Sequence, residues 1–399
     1  MSNRSRHRTP SFLRQIGFWG LGVTALPLQA ALHGCGATPV ARETSQAGST
    51  ADTSLLTPRS NPARGLDAVA QNTSCESCHA EIAKEWRGSL HQLAYLEPAY
   101  QRALAREPLP FCRGCHAPEA DAKAAPEPAL AELGVGCVTC HVVQDQILAG
   151  GTAEPNPSAH AVLRTLSRTP AGACASCHEF EFPDRALRRE PLLMQSTVSE
   201  HQRSSRATET CATCHMARAA DGHMQHDFTA SRSLDAVKGA LSVEARRVNG
   251  GQVELTLEAR GVGHALPTGD LFRRLEVAVE LVGDDYQVLA RDHRYLTRHF
   301  RTVNVGSFAQ RKLERDDRLF EGQPRRVQLI VDYPESNALP IAWWVAYQRV
   351  AFPRANKEDA EIEQELLLAS GTLPPVAPNR GQARTAVSSI SRATSTPEK

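Results

Sequence analysis

The stretch Cys75-Glu76-Ser77-Cys78-His79 decides how the middle of this chain is built. Its pattern, Cys-x-x-Cys-His, returns four more times, and the first cysteines are 37, 25, 37 and 37 residues apart. Such a near-constant period indicates a repeated structural unit. The cysteines of the five copies are Cys75 and Cys78, Cys112 and Cys115, Cys137 and Cys140, Cys174 and Cys177, and Cys211 and Cys214; the histidines are His79, His116, His141, His178 and His215.

The spacing within each copy suits one kind of chemistry. Two thiols three positions apart on a helical turn reach the two vinyl groups of a haem, and the following histidine supplies the proximal ligand of the iron. Zinc knuckles and redox-active cysteine pairs are the alternatives, but neither requires a histidine at that position. The sequence therefore predicts five covalently attached haem c groups.

Distal ligands are predicted from the remaining histidines. A haem used only for electron transfer usually has both axial positions filled. His223 competes with His226 as a spare, His293 and His299 are expected on the surface, and Met194, Met216 and Met224 are alternative ligands. The predicted distal ligands are His91, His160, His201, His226 and His264.

The haem core is expected over residues 66–230, about 33 residues for each haem. So short a chain cannot form its interior from side chains alone, so the porphyrins must supply much of it. We expect a mostly α-helical multihaem core with little regular structure, unfolded or nearly so without haem.

Several segments around these motifs resemble the cytochrome c-554 type of multihaem cytochrome, which is related to the haem cores of hydroxylamine- and nitrite-converting enzymes. They are Trp86, Ser89 and His91; Cys112 to Pro118; Gly134 to His141; and Cys214-His215-Met216 leading to His226-Asp227-Phe228. The resemblance implies stacked and perpendicular haem pairs with largely bis-histidine ligation, and the family tolerates one five-coordinate haem.

The first 35 residues are typical of an export signal. Basic residues precede an apolar run from Ile16 to Leu32. The run ends in Leu32-His33-Gly34-Cys35, which resembles the lipoprotein processing box and predicts lipid attachment at Cys35. Cleavage after Ala30 and a membrane-spanning helix are the alternatives. Residues 36–65 are expected to form a flexible tether, on a periplasmic or outer-membrane (cell-surface) lipoprotein.

The pattern changes after the haem core. Alternating segments such as Val253-Glu254-Leu255-Thr256-Leu257, with hairpin signals at Asn249-Gly250-Gly251, predict an antiparallel β-sandwich over 231–354. Residues 355–399 are expected to form a short helix and a disordered tail.

The charge and the motifs limit the classes of function that the sequence supports. Lys and Arg total 45 against 44 Asp and Glu, so no global field predicts binding to nucleic acid. The leading hypothesis is an extracytoplasmic carrier that passes electrons between redox partner proteins. A multihaem oxidoreductase acting on hydroxylamine or nitrite at one open haem, and a surface-anchored binding module, remain alternatives.

Overall fold

The computed structural model describes residues 62–150, 160–164, 170–182, 192–229, 233–305, 308–351 and 358–376. The predicted signal segment, Cys35, the tether up to residue 61 and the tail beyond residue 376 lie outside these ranges. The described residues fall within one compact unit, Asp52–Lys399. Within them, no helix is long and apolar enough to span a bilayer.

The first part of the chain is built from short helices, and each cysteine-histidine motif lies at or near a helix end. Helices of this length are marginal by themselves, so tertiary contacts must hold them. The helices are α1 (Leu66–Cys78), α2 (Ala80–Trp86), α3 (Pro98–Arg106), α4 (Pro110–His116), α5 (Pro128–Leu133), α6 (Cys137–His141), α7 (Pro170–His178), α8 (Thr197–Gln202), α9 (Cys211–His215) and α10 (Leu234–Gly239).

Few apolar side chains are buried together in this helical part. Its cluster in the described region has eight fully buried members, among them Trp86, Leu130 and Val138. The indole N–H of Trp86 donates to the Val135 carbonyl at 2.9 Å. A cluster this small does not provide an interior for all these helices, which agrees with a core that relies on another apolar group.

The strands are short in the helical part and long after residue 240. They are β1 (Val142–Val143), β2 (Gln146–Ala149), β3 (Leu163–Arg164), β4 (Glu179–Glu181), β5 (Leu193–Ser196), β6 (Leu241–Arg247), β7 (Gln252–Ala259), β8 (Arg273–Val282), β9 (Val288–Leu296), β10 (Arg298–Val305), β11 (Phe308–Asp316), β12 (Arg325–Ile330), β13 (Ile341–Val350) and β14 (Ile362–Leu373).

The β region contains two antiparallel sheets and a separate hairpin. The four-stranded sheet has the order β14-β13-β8-β9, the three-stranded sheet β12-β7-β6, and β10 pairs with β11. Leu255 of the predicted alternating segment lies with Leu275, Leu329 and Ile341 in one apolar cluster of eighteen buried residues, most of them from the two sheets. This shared cluster gives the β region the conventional core that the helical part lacks.

The C-terminal part of the β region differs from the prediction. The helix expected between 355 and 369 is wrong where the structure describes it, because β14 runs from Ile362 to Leu373 and pairs with β13 along its length. Glutamates and leucines favour a helix locally. Cross-strand pairing and burial of Leu368 override that preference here.

Polar contacts, some buried and some partly exposed, join the helical part and the β region. The carboxylate of Glu200 in α8 lies 2.7 Å from the guanidinium of Arg318, and their side chains are 1% and 5% exposed. Arg298 donates to the Leu193 carbonyl at 2.9 Å, and Arg102 pairs with Glu363 at 2.7 Å. These contacts fix the β region against the helices that carry the motifs.

Candidate haem sites

Each motif presents its two thiols and its histidine on a tight helical turn. In α4, α6, α7 and α9 the motif occupies the last residues of the helix, and in α1 it ends one residue later at His79. None of the ten motif cysteines is in a disulfide bond in the described chain. This is the arrangement that thioether attachment requires.

Four motif histidines face a second histidine at nearly one distance. A transition metal lies about 2 Å from a histidine nitrogen, so two imidazoles on opposite sides of one metal have ring centres roughly 6 Å apart. The four separations between ring centres match this value. They are 6.2 Å for His79–His160, 6.3 Å for His178–His91, 6.2 Å for His141–His226 and 6.2 Å for His215–His264.

Backbone carbonyls set the orientation of several of these rings. The Nδ1 atom of His141 lies 2.9 Å from the Leu148 carbonyl. The corresponding distances are 2.6 Å from His226 to the Met224 carbonyl and 3.0 Å from His264 to the Ala265 carbonyl. A proton on Nδ1 leaves the Nε2 lone pair free for a metal.

Burial favours the form of the ring that ligates. Desolvation lowers the pKa of His91 and of His178 to about 4, with neighbouring histidines adding to the effect. The pKa values of His215 and His264 are also lowered, chiefly by burial. The rings are therefore neutral near pH 7, as a metal ligand must be.

His116 has a different neighbour. Its ring stacks on Tyr100, with centres 3.7 Å apart and planes 8° apart, and its Nδ1 lies 2.7 Å from the Ala94 carbonyl. Every histidine from His79 onward lies in the described chain, and none of them makes a ring contact with His116. Tyr100 is 7% exposed, and its hydroxyl has no hydrogen-bond partner in the described chain.

His201 lies elsewhere. A Cβ atom placed on Gly263 would come within 2.9 Å of Cδ2 of His201, so this ring packs on the loop that carries His264.

The spare histidines are paired with acids. His223 contacts Glu85 and Asp221, at 2.9 and 2.5 Å, His293 contacts Glu358 at 2.7 Å, and His299 contacts Asp317 at 2.8 Å.

Two glutamates that sequence reasoning missed support the distal histidines. Glu85 of α2 accepts the backbone N–H of His226 at 2.8 Å. Glu200 accepts the backbone N–H of Ala265 at 3.2 Å, beside His264, and the Thr268 hydroxyl at 2.6 Å. No local pattern marks either residue, because each contact joins segments far apart in sequence.

The cysteines of different motifs lie close enough to influence one another's pKa. Cys177 of the fourth motif has a side-chain hydrogen bond with Cys115 of the second. Cys174 has one with Cys211 of the fifth motif and interacts electrostatically with Cys140 of the third. Cys75 of the first motif interacts with Cys137 of the third. The fourth motif is thus next to three others.

Buried arginine N–H donors that make no hydrogen bond provide a test of whether haem fits these sites. The Nε atoms of Arg113, Arg273 and Arg349 are buried without a hydrogen-bond acceptor. Asp270 and Arg349 act electrostatically on His116, and Arg273 acts on His178. Arg273 Nε lies 3.5 Å from Asp270 and Arg349 Nε 3.9 Å from Glu363, which is ion-pair distance but not a hydrogen bond. Buried donors without a hydrogen bond require an explanation, and the carboxylates of haem provide suitable acceptors. The donors, the histidine spacing and the cysteines without disulfides together fit haem c.

Comparisons with known proteins agree with this assignment. Residues 74–142 match the family model described as cytochrome c554 and c-prime. The penta-haem cytochrome c552 from Thermochromatium tepidum superposes with a TM-score of 0.57 at 20% identity, over 78% of this chain and 99% of that one. A β-glucuronidase of glycoside hydrolase family 2 matches over 34% of this chain and 11% of its own, at 10% identity, but its TM-score of 0.15 carries no argument. No curated protein sequence matches the chain.

Proposed function

Because the chain carries a segment of the multihaem c-type cytochrome family, we propose that it is an extracytoplasmic electron carrier with five covalently attached haem c groups. The observation that carries the proposal is the set of four histidine pairs with ring centres 6.2 to 6.3 Å apart. Haem iron supplies reversible one-electron chemistry, and two histidine ligands leave no position for a substrate.

We assign a role in haem attachment or iron ligation to each of the predicted residues. The ten motif cysteines attach the porphyrins, and the five motif histidines are proximal ligands. His160, His226, His91 and His264 are the distal ligands opposite His79, His141, His178 and His215. His201, also predicted as a ligand, packs on Gly263 and is not brought to His116.

The proximity of motif cysteines supports a branched path for electrons. The first, third, fourth and fifth motifs follow one another, and the second joins at the fourth through Cys115 and Cys177. Redox partner proteins would exchange electrons at the ends of this path.

The test is an electron paramagnetic resonance spectrum of the oxidised protein, with haem quantified by the pyridine haemochrome assay. We expect five haems per chain, of which at least four are low-spin. Fewer than four low-spin haems would refute the ligand pairs.

A second function is favoured by one observation, the stacking of His116 on Tyr100 where the other four motif histidines face a histidine. If the iron at His116 keeps an open position, it could bind a small nitrogen compound such as nitrite or hydroxylamine. A high-spin signal that shifts on addition of either compound would support binding at this iron. An all-low-spin spectrum would exclude it.

We also propose that the chain is exported and anchored by lipid at Cys35. The supporting observation is the basic, apolar and Leu32-to-Cys35 order of the first 35 residues. Mass spectrometry of the N-terminal peptide tests this proposal, with Cys35→Ser as the control. A peptide that begins at Ala31 would instead indicate cleavage after Ala30.

The β region, which we infer to be a sandwich of the two sheets, would complete the haem protein as well as contact partners. Its His264 faces His215, and its Arg318 binds Glu200. An independent binding module would need neither contact. These two contacts therefore favour a structural role of the β region in the haem protein over an independent binding module.

A further inference from the structure

The β10–β11 hairpin has one face of basic side chains. Side chains alternate along a strand, so Arg301 projects from the face opposite to that of its neighbour Phe300. The register places Arg301 directly opposite Lys312, and His299 directly opposite Arg315. We call these four residues, His299, Arg301, Lys312 and Arg315, the basic face.

The pairing of Arg301 with Lys312 is unfavourable for the hairpin itself. Like charges directly opposite each other on neighbouring strands are destabilising. Both side chains are exposed, and in the described chain no carboxylate lies within ion-pair distance of either. The fold does not need this pair, which indicates that the two charges serve something outside the chain.

The basic face continues into a surface groove at the base of the hairpin. Arg294, Arg325 and Arg326 line this groove. Two acids line the same groove: Asp317 contacts both His299 and Arg315 at 2.8 Å, and Glu358 contacts His293 at 2.7 Å. Two carboxylates against the arginines of the groove still leave the surface with an excess of positive charge.

The local excess is large compared with the charge of the chain. The basic face and its groove hold six Lys and Arg (Arg294, Arg301, Lys312, Arg315, Arg325 and Arg326) against Asp317 and Glu358, a net charge of +4, whereas the whole chain is +1. The remaining residues therefore sum to −3. An asymmetry of this size creates a local positive field that an overall charge near zero conceals.

The other face of the hairpin rests on the segment after the fourth motif. Phe300 packs on Phe182 with ring centres 5.9 Å apart, and Arg311 lies over the same ring at 5.7 Å. Phe182 is four residues after His178, the histidine of the motif that lies next to three others. A partner on the basic face would therefore be close to the branch point of the proposed electron path.

We propose that the basic face and its groove are the docking surface for an acidic electron-transfer protein. This inference rests on the proposed electron-carrier function. Complementary charges steer two proteins together and raise the association rate by roughly 10 to 1,000 times at low salt. A redox partner with an acidic surface around its cofactor would be oriented towards the fourth motif.

The test uses the full holoprotein and reduced flavodoxin as an acidic one-electron donor. Stopped-flow absorbance gives the second-order rate of haem reduction at low and at high ionic strength. We expect R301E/K312E to lower the low-salt rate at least tenfold and to match wild type at about 0.5 M salt, where the Debye length is only about 4 Å. The control K238E/R260E reverses two exposed charges elsewhere and should leave the rate within twofold.

The single substitution K312E separates docking from folding. It places a carboxylate opposite Arg301, so the denaturant midpoint should rise while the reduction rate falls. Equal losses in K312E and K238E/R260E, or no loss in R301E/K312E, would overturn the proposal. Binding to anionic lipid vesicles that K312E abolishes, with an unchanged flavodoxin rate, would also overturn it. Reduction of every variant by dithionite shows that electron transfer itself is intact, so failure of docking is distinguishable from failure of the proposed function.

Discussion

Replacing Glu200 with Gln should destabilise the joint between the helical part and the β region. Glu200 Oε1 lies 2.7 Å from Arg318, and both side chains are almost fully buried. Burial alone would raise the pKa of Glu200, but Arg318 and two hydroxyls lower it, so the carboxylate is charged in the fold. The substitution removes this charge and keeps the shape of the side chain.

The expected loss follows from the geometry. Two unit charges at this distance attract by about 6 kcal/mol at an effective dielectric constant of about 20, before desolvation is counted. Removing one partner of a buried pair typically costs about 3–5 kcal/mol, mostly because the other charge is left buried. Arg318 keeps Asp316 at 2.8 Å. We therefore expect the lower end of that range, about 3 kcal/mol.

Guanidinium chloride unfolding of the holoprotein, followed by circular dichroism, measures this loss. The control Glu209→Gln, in the partly exposed pair Arg206–Glu209, should produce no measurable change. A cycle with Arg318→Met should give a coupling energy of about 2 kcal/mol between Glu200 and Arg318. A loss below about 1 kcal/mol for Glu200→Gln, typical of an exposed pair, would refute the reasoning.

Three other predictions concern single side chains. His264→Ala removes the ring facing His215 and should convert one low-spin haem to high-spin, reversibly on adding imidazole; an unchanged resonance spectrum would contradict the ligand pair. Gly134→Ala should lower the free energy of unfolding by at least about 2 kcal/mol, because φ is 53° and a Cβ atom would lie 2.2 Å from a backbone oxygen. The control Gly88→Ala has a φ of 80° with open space around the Cβ atom. Its loss of stability in denaturant unfolding therefore measures the cost of the positive φ alone. Hydrogen bonds to Glu85 and Asp221 raise the pKa of His223. The charged form of His223 therefore stabilises the fold below the unfolded pKa of about 6.5, and this contribution is lost as pH rises through the folded pKa. His223→Gln should lower the denaturant midpoint at about pH 5.5 and have little effect on it at about pH 9.

The parts of the site that depend on local chemistry could be predicted from the sequence. Two thiols and a histidine on one helical turn are specified by adjacent residues, so all five motifs were recognisable. The pairing of histidines is a long-range property. His91 meets His178, 87 residues later, and not the motif that precedes it in sequence.

The rest of the prediction was limited by tertiary contacts. His201 looked like a ligand because it stands alone before the fifth motif, but α8 directs it towards Gly263. As a ligand it stays a sequence prediction. Strand β14 was mistaken for a helix because its Glu and Leu residues favour one locally, and only pairing with β13 decides otherwise.

If His264 is the second ligand at His215, the fifth haem site depends on the folding of the β region. All five motifs precede His264 in the chain, and His264 follows His215 by 49 residues. The loop that carries it is held by Glu200 and belongs to a region whose own core forms from strands extending to residue 373. Under the proposed assignment, the fifth site would gain its second ligand only after the β region has folded. Its spin state would then report completed maturation, and a truncated or misfolded molecule would be recognisable by that one incomplete site.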